Sequence, residues 1–198
     1  MTSKVNTRSA AYTKQRIVAA ALKVFCAKGY RRATIRDIAE KAETSIGGVY
    51  LYFRNKELLY QEVIAEQAGL FRKQMGPLRE QTPHRALRSY ILYNLDFAMS
   101  RKELVSLHLK DYDLAFMDSF RRTFFRSQKA LVEGILKAGV EQGAFTIKDC
   151  EHTALLILFA IRGAMTSRIA YGTEAARKLC DSICNLICAN EEREVSPG

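Results

Sequence analysis

The chain has 198 residues, 48% of them hydrophobic, with only 11 glycines and 3 prolines, so it can bury a real core and has too few turn formers for an all-β protein. The net charge of +10 is uneven: residues 1–60 carry 12 Lys/Arg against 4 Asp/Glu, while residues 61–198 carry 19 against 17. A polyanion partner at the N-terminal third follows, and charge alone leaves nucleic acid and an anionic membrane both open.

The predicted elements are helical almost throughout. Residues 11–28 place Ile17, Ala21, Val24 and Phe25 on one face at a 3.6-residue period, and Gly29 is a natural C-cap. Thr34 opens a short helix as its N-cap, with Asp37 three residues on in the place of a capping-box Glu. Its inward side is Ile35, Ile38, Ala39 and Ala42. Glu43-Thr44-Ser45 breaks the pattern, and Ser45 caps a third helix with Ile46, Val49, Tyr50 and Phe53 on its apolar face. Asn55 caps a fourth, which carries Leu58, Leu59 and Val63 inward and runs to about Met75. Gly76-Pro77 and Thr82-Pro83 punctuate the chain, and Pro83 suits a first helical turn. Five further helices are expected at about 84–100, 103–112, 118–140, 150–171 and 174–190, the last two parted by Gly172-Thr173, with a loop around Gly143. The fold class is therefore all-α with about nine helices: a three-helix N-terminal domain (1–60) and a helical body (61–198).

Two short helices, 34–42 and 45–53, joined by a three-residue turn, form a helix-turn-helix. In such a pair the first helix braces the second, which lies in the major groove and offers its N-terminal residues to base edges. Gly47 and Gly48 would let the backbone approach DNA closely, at about 1 kcal/mol each against Ala in a helix. An ordinary helical hairpin shares the bare pattern. The local charge, the aromatic cluster from Tyr50 to Phe53 and the capped basic start Asn55-Lys56 favour the DNA reading.

The stretches GYRRATIRDIA (from Gly29) and GGVYLYFRNKELL (from Gly47) closely resemble the DNA-binding domain of the TetR family of transcriptional regulators, over about residues 13–60. The body resembles that family in length and helical pattern only. The resemblance implies that Thr34, Tyr50, Tyr52 and Lys56 contact phosphates, Lys56 at a helix N-terminus where the dipole also favours anions. It implies that Arg36, Thr44, Ser45, Ile46, Gly47, Gly48 and Leu51 face the groove. Arg36 matches the two acceptors of a guanine, and Ile46 either touches a thymine methyl or packs inward. The family's turn usually reads Ala-Gly-Val-Ser, whereas here it reads Ala42-Glu43-Thr44-Ser45. Glu43 thus replaces a glycine that often takes positive φ, at a cost of about 1 kcal/mol. Thr44 puts a hydroxyl where an apolar plug is usual, leaving it freer to meet DNA. Lys4, Arg8, Lys14 and Arg16 are either further DNA contacts or part of a solvated tail.

For the body, the resemblance implies a homodimer on a palindromic operator and a small-molecule effector pocket. Ala160, Gly163, Ala164 and Ser167 form a small-residue stripe, and Leu179, Ile183, Leu186 and Ile187 add an apolar one, as an intersubunit bundle requires. Tyr93, Phe97, Tyr112, Phe116, Phe120, Phe124 and Phe159 are core or pocket aromatics, with His108 and Arg162 as polar candidates, which suits a hydrophobic or aromatic effector. Cys180, Cys184 and Cys188 share one helix face, either as small buried hydrophobes or as a redox or metal site. No metal site and no cofactor are implied. An enzyme finds no support: there is no Gly-rich phosphate loop, nucleophile elbow or His-Glu-x-x-His motif. A membrane binder would need a long basic amphipathic helix, and the basic residues are spread over short capped ones. No apolar leader precedes residue 11 and the longest apolar run, 154–161, is too short to span a bilayer, so the protein is expected in the cytoplasm. The reading is a ligand-responsive DNA-binding regulator, a repressor rather than an activator, and not an enzyme.

Overall fold

A computed structural model of the chain describes residues 2–187, with side chains described from residue 10 except at 102, 108–110, 166–173, 175–177, 179–180 and 187. Among the described residues there are eight α-helices and two 3-10 turns, with no strand: α1 (Thr2–Arg32), α2 (Ile35–Lys41), α3 (Ile46–Tyr50), α4 (Lys56–Met75), the turn Gly76–Glu80, α5 (Pro83–Ser100), α6 (Lys102–Lys110), the turn Ala115–Met117, α7 (Asp118–Glu141) and α8 (Cys150–Ile187). The chain packs into two compact units. The first joins the chain through Lys73 with Lys102–Ser119, and the second joins Gln74–Arg101 with the chain from Phe120.

The first unit is built on the face expected of α1. Ile17, Ala21, Val24 and Phe25 are all buried, against Ile38 and Ala39 of α2 and Val49 of α3 in one apolar core. Gly29 stands at φ 76 inside α1, where the helix kinks before its last turn, so the C-cap expected there is a left-handed bend. The helix begins at Thr2, which replaces the solvated tail with regular structure. Three apolar residues expected to face inward do not. Ile46 and Tyr50 are 41% and 50% exposed, because α3 has only five residues and buries Val49 alone, and Leu58 in the first turn of α4 is 44% exposed.

The same unit holds an aromatic cluster. Tyr60 lies edge-on to Phe25 and Tyr30 at 5.0 and 5.1 Å, and Phe116 closes on Tyr30 at 5.1 Å. Tyr60 and Phe25 are fully buried, so most of this contact is ordinary hydrophobic burial with a modest geometric gain. Segment 102–119 is tied here by Asp111, Arg31–Asp113 (2.6 Å) and the Gln61 amide, which donates to the Phe116 carbonyl.

In the second unit α5 packs along α8. Ala86, Leu87, Tyr90, Ile91, Leu95 and Ala98 form the buried stripe of α5, and Ala154, Ile157, Leu158 and Ile161 that of α8. Both repeat at helical spacing, as a half-buried helix requires. The Tyr90 hydroxyl donates to Gln128 Oε1 at 3.0 Å, and burial holds the phenol well above its ordinary pKa. The two C-terminal helices expected on either side of Gly172-Thr173 are one helix. A glycine inside a helix costs about 1 kcal/mol, which the contacts of a long helix easily override.

Gly139 of α7 sits under the Phe145 ring, in contact with the place a Cβ would occupy, and its carbonyl accepts from the Ala144 and Phe145 amides. Gly139→Ala gains about 1 kcal/mol of helix propensity but overpacks a buried ring, which costs about 1–3 kcal/mol. The variant is expected to unfold several degrees below wild type, and an unchanged or raised midpoint by circular dichroism would count against this packing.

Candidate nucleic-acid interface

The helix-turn-helix is defined by its caps. Thr34 Oγ1 accepts from the Asp37 amide at 3.1 Å and Asp37 Oδ2 accepts from the Thr34 amide at 3.0 Å, a reciprocal capping box with Asp in the usual place of Glu. Ser45 Oγ accepts from the Gly48 amide at 2.9 Å and starts α3. Asn55 Oδ1 accepts from the Leu58 amide at 2.8 Å and starts α4. All three caps fall where the sequence places them, because each is satisfied within four residues.

Lys28 Nζ reaches Asp37 Oδ1 at 2.8 Å, and its hydrogen bond, joined by those from Thr34, lowers the Asp37 pKa from 3.8 to about 2. A carboxylate depressed on folding stabilises the fold above its unfolded pKa and loses that contribution as pH falls through the folded value. Asp37→Asn is therefore expected to flatten the dependence of melting temperature on pH between 3.8 and about 2. Melts of wild type and variant across that interval check this, and parallel slopes would remove Asp37 from acid unfolding.

Between the two caps lies the turn. Glu43 takes φ 51, the left-handed conformation expected of the glycine it replaces. Its amide donates to the Glu40 carbonyl at 3.1 Å and that of Thr44 to the Ala39 carbonyl at 3.0 Å, the two bonds of a Schellman end. The turn is thus of the ordinary kind, made with an unfavourable residue.

Around this frame the expected contacts are spread over one continuous stretch. Thr34, Arg36, Ser45, Ile46, Gly47, Tyr50 and Leu51 are exposed, Leu51 at 83%, while Thr44, Gly48 and Tyr52 are half-buried. The two glycines differ. A Cβ on Gly47 would meet nothing closer than Ser45 Oγ at 3.8 Å, whereas a Cβ on Gly48 would stand 2.5 Å from Thr44 Oγ1. The Thr44 hydroxyl, read from sequence as freer for DNA, packs on Gly48 instead. Exposed Lys41 and Arg54, which the motif alone did not single out, add charge to the same segment.

Several cations of the basic third are used inside the protein. Lys56 Nζ donates to the Tyr30 and Ala33 carbonyls, each at 2.9 Å, and lies 4.4 Å from the Tyr30 ring centroid. It fastens the end of α1 to the start of α4, a role no local pattern signals. Lys14 pairs with Glu62, and Arg16 donates to the Ala42 and Glu43 carbonyls. Lys4 and Arg8 have side chains outside the described residues.

The residues read as effector-binding are divided between the two units. Phe116 belongs to the aromatic cluster of the first unit, and Tyr112 of that unit is 59% exposed. In the second unit Tyr93 and Phe97 are half-buried neighbours on α5, and Phe120 stacks on Phe124 at 6.3 Å on α7. Phe159 is 57% exposed on α8, as is Leu156 at 69%. Arg162 is also exposed, and the side chain of His108 lies outside the described residues. A separate cleft of about 340 Å³ in this unit is lined by Leu78, Gln81, Pro83 and Ala86 and by Leu131 and Ile135 of α7, none of them anticipated.

Of the stripe on α8, Gly163 is exposed, Ala160, Ala164 and Ile183 are half-buried and Leu186 is 84% exposed. The side chains of Ser167, Leu179, Ile187 and Cys180, and all of Cys188, lie outside the described residues. Among the described residues no group of His, Cys, Asp or Glu could hold a metal ion, and no helix is long and apolar enough to cross a membrane.

A doubly capped helix-turn-helix with an exposed second helix in a basic context defines a DNA-binding regulator. Residues 17–63 match the model of the bacterial regulatory proteins of the tetR family. The chain is 24% identical over 163 residues to the HTH-type transcriptional repressor NicS of Pseudomonas putida, covering 79% of this chain and 77% of that one. Its fold matches a TetR transcription regulator from Haloarcula marismortui with a TM-score of 0.80 at 22% identity, over 90% of this chain and 100% of that one. It also matches FadR of Bacillus subtilis, solved with stearoyl-CoA, with a TM-score of 0.73 at 23% identity, over 87% of this chain and 96% of that one. Residues 17–63 are thus a DNA-binding domain of the tetR family of bacterial regulatory proteins, and the rest of the chain shares the fold of TetR regulators.

Proposed function

We propose that this regulator is a cytoplasmic repressor that binds a palindromic operator as a homodimer and is released by a small hydrophobic or aromatic effector. Residues 1–60 are the reading head and residues 61–198 carry effector binding and dimerisation. The observation that carries the reading is α3 itself, which buries Val49 alone and leaves Ile46, Gly47, Tyr50 and its C-cap Leu51 exposed, as is Arg36 of α2. So short a helix, capped at Ser45 and left bare outside, fits the role of a groove reader better than that of a core helix. In this reading Thr34, Tyr50 and Tyr52 contact phosphates, with the remaining N–H of Lys56. In the same reading Arg36, Ser45, Ile46, Gly47 and Leu51 face base edges.

On the effector side, support comes from the half-buried Tyr93, Phe97, Phe120 and Phe124 and from the Arg101 guanidinium 5.2 Å from the Phe97 ring centroid. Aromatic rings with a nearby cation suit an apolar chain or ring with an anionic end. FadR, which shares the fold, was solved with stearoyl-CoA, a ligand of that build. The exposed Leu156, Phe159 and Leu186 of α8, with Gly163, supply an apolar face for the second subunit. Effector binding would change the separation of the two heads, which must match half-sites about one DNA turn apart.

Gel-shift titration of the promoter beside its own gene tests this reading, with acyl-CoA thioesters, free fatty acids and planar aromatics as additions. Salt-sensitive, sequence-selective binding reversed by one of these classes is expected. Binding without sequence choice would overturn the operator reading, and a complex tightened by the effector would overturn release.

A further inference from the structure

We propose that Arg16 is a positioning residue for operator recognition, acting through the helix-turn-helix turn and not through DNA. The inference deepens the DNA-binding reading and rests on it for its functional arm. The Schellman bonds at the end of α2 satisfy the carbonyls of Ala39 and Glu40 but not those of Ala42 and Glu43. The Arg16 Nη2 of α1 donates to both, to Glu43 at 3.2 Å, and its Nη2 stands 4.0 Å from the Glu43 carboxylate. A guanidinium is suited to this place: its planar Nη2 carries two N–H donors, one for each carbonyl, and brings positive charge to the negative end of a helix dipole.

The clasp falls on the strained residue. Glu43 holds φ 51 without the freedom of glycine, and Ser45, two residues later, caps α3. Letting Glu43 relax to a right-handed conformation would rotate the chain just ahead of that cap and swing α3 away from its place on α2. Arg16 opposes that movement by holding the carbonyls on either side of the Glu43 N–Cα bond. Nη2 is engaged by these two carbonyls although the side chain is 40% exposed, so a role through the turn and a direct phosphate contact are told apart by the salt dependence of binding.

The test is a double-mutant cycle of Arg16→Ala and Glu43→Gly, read in two ways. Thermal unfolding by circular dichroism needs no DNA. Arg16→Ala is expected to lower the melting temperature by about 3 °C in the Glu43 background and by about half that or less with glycine at 43, because glycine holds the turn unaided. Equal losses in both backgrounds would overturn the clasp. The second arm uses a duplex enriched from a random-sequence pool by the wild-type protein, with fluorescence anisotropy across a range of KCl. Arg16→Ala is expected to weaken that duplex about tenfold, with the salt slope and binding to unrelated DNA unchanged, and Glu43→Gly to restore most of the loss. A slope shallower by about one unit, with unrelated DNA weakened in parallel, would mean that Arg16 touches a phosphate and overturn the proposal. Arg16→Lys, which keeps the charge but not the fork, is expected to fall between, and full activity of that variant would also overturn it. Enrichment of no duplex by the wild type would sink the DNA-binding reading, with the melting cycle still deciding the clasp.

Discussion

Asp111→Ala is expected to destabilise the first unit by about 3 kcal/mol. Asp111 is 4% exposed, and its Oδ2 accepts from the Tyr30 amide at 3.0 Å and from the Tyr60 hydroxyl at 3.3 Å. Tyr60 is itself 2% exposed, so water does not readily replace the lost acceptor. A buried donor that loses its acceptor costs about 1–3 kcal/mol, and alanine removes the acceptor from two donors, one buried and one part-buried. Relief of the buried carboxylate's own desolvation offsets part of that sum. Asp111→Asn keeps an acceptor and should cost roughly 1 kcal/mol. The nearby Arg31–Asp113 pair is exposed on both sides and contributes little by comparison. Urea unfolding followed by tyrosine emission, in a chain with no tryptophan, measures the difference. A loss below about 0.5 kcal/mol for alanine would show that the segment is held by its other contacts and not by Asp111.

Gly48→Ala is expected to weaken operator binding at least tenfold, and Thr44→Ala in the same chain to restore it. A Cβ at position 48 would stand 2.5 Å from Thr44 Oγ1 and 3.3 Å from Ser45 Oγ. Either the branched Thr44 side chain leaves its rotamer or α3 lifts away, and Ser45 loses its cap on the Gly48 amide. Overpacking of this kind costs about 1–3 kcal/mol, against about 1 kcal/mol gained in helix propensity, so crowding wins. With Thr44 trimmed the crowding goes and the propensity gain stays, so the double variant should melt at or above wild type. Gly47→Ala is the contrast. Its Cβ has room within the protein, so it should melt higher and yet bind operator more weakly, because only DNA is left to object. A double variant that melts like wild type but remains unable to bind would show that DNA, not Thr44, requires glycine at 48. Anisotropy and melting of the three variants beside wild type separate these outcomes.

The helices and caps of the reading head are legible because their signals are local. Thr34, Ser45 and Asn55 each bond an amide three residues on, so residue type and spacing suffice. The left-handed turn at Glu43 was legible as well, through comparison with the glycine usual in the family. Exposure within the short α3 was less so, since a periodic apolar face says nothing of how many of its turns find a partner.

What sequence by itself determined is therefore the all-α class, the order of the helices and the place of the helix-turn-helix. Each depends on hydrogen bonds and periodicity spanning about four residues. Tertiary structure alone decided how the cations and aromatics are used. Arg16 and Lys56 look like DNA contacts in a basic segment, yet each reaches carbonyls 23 to 27 residues away. Phe116 looks like a pocket aromatic, yet packs on Tyr30, while Asp111 bonds to the Tyr30 amide 81 residues before it. A long side chain carries the same charge or ring whichever way it turns. Only the packed chain shows which carbonyl, carboxylate or ring it meets.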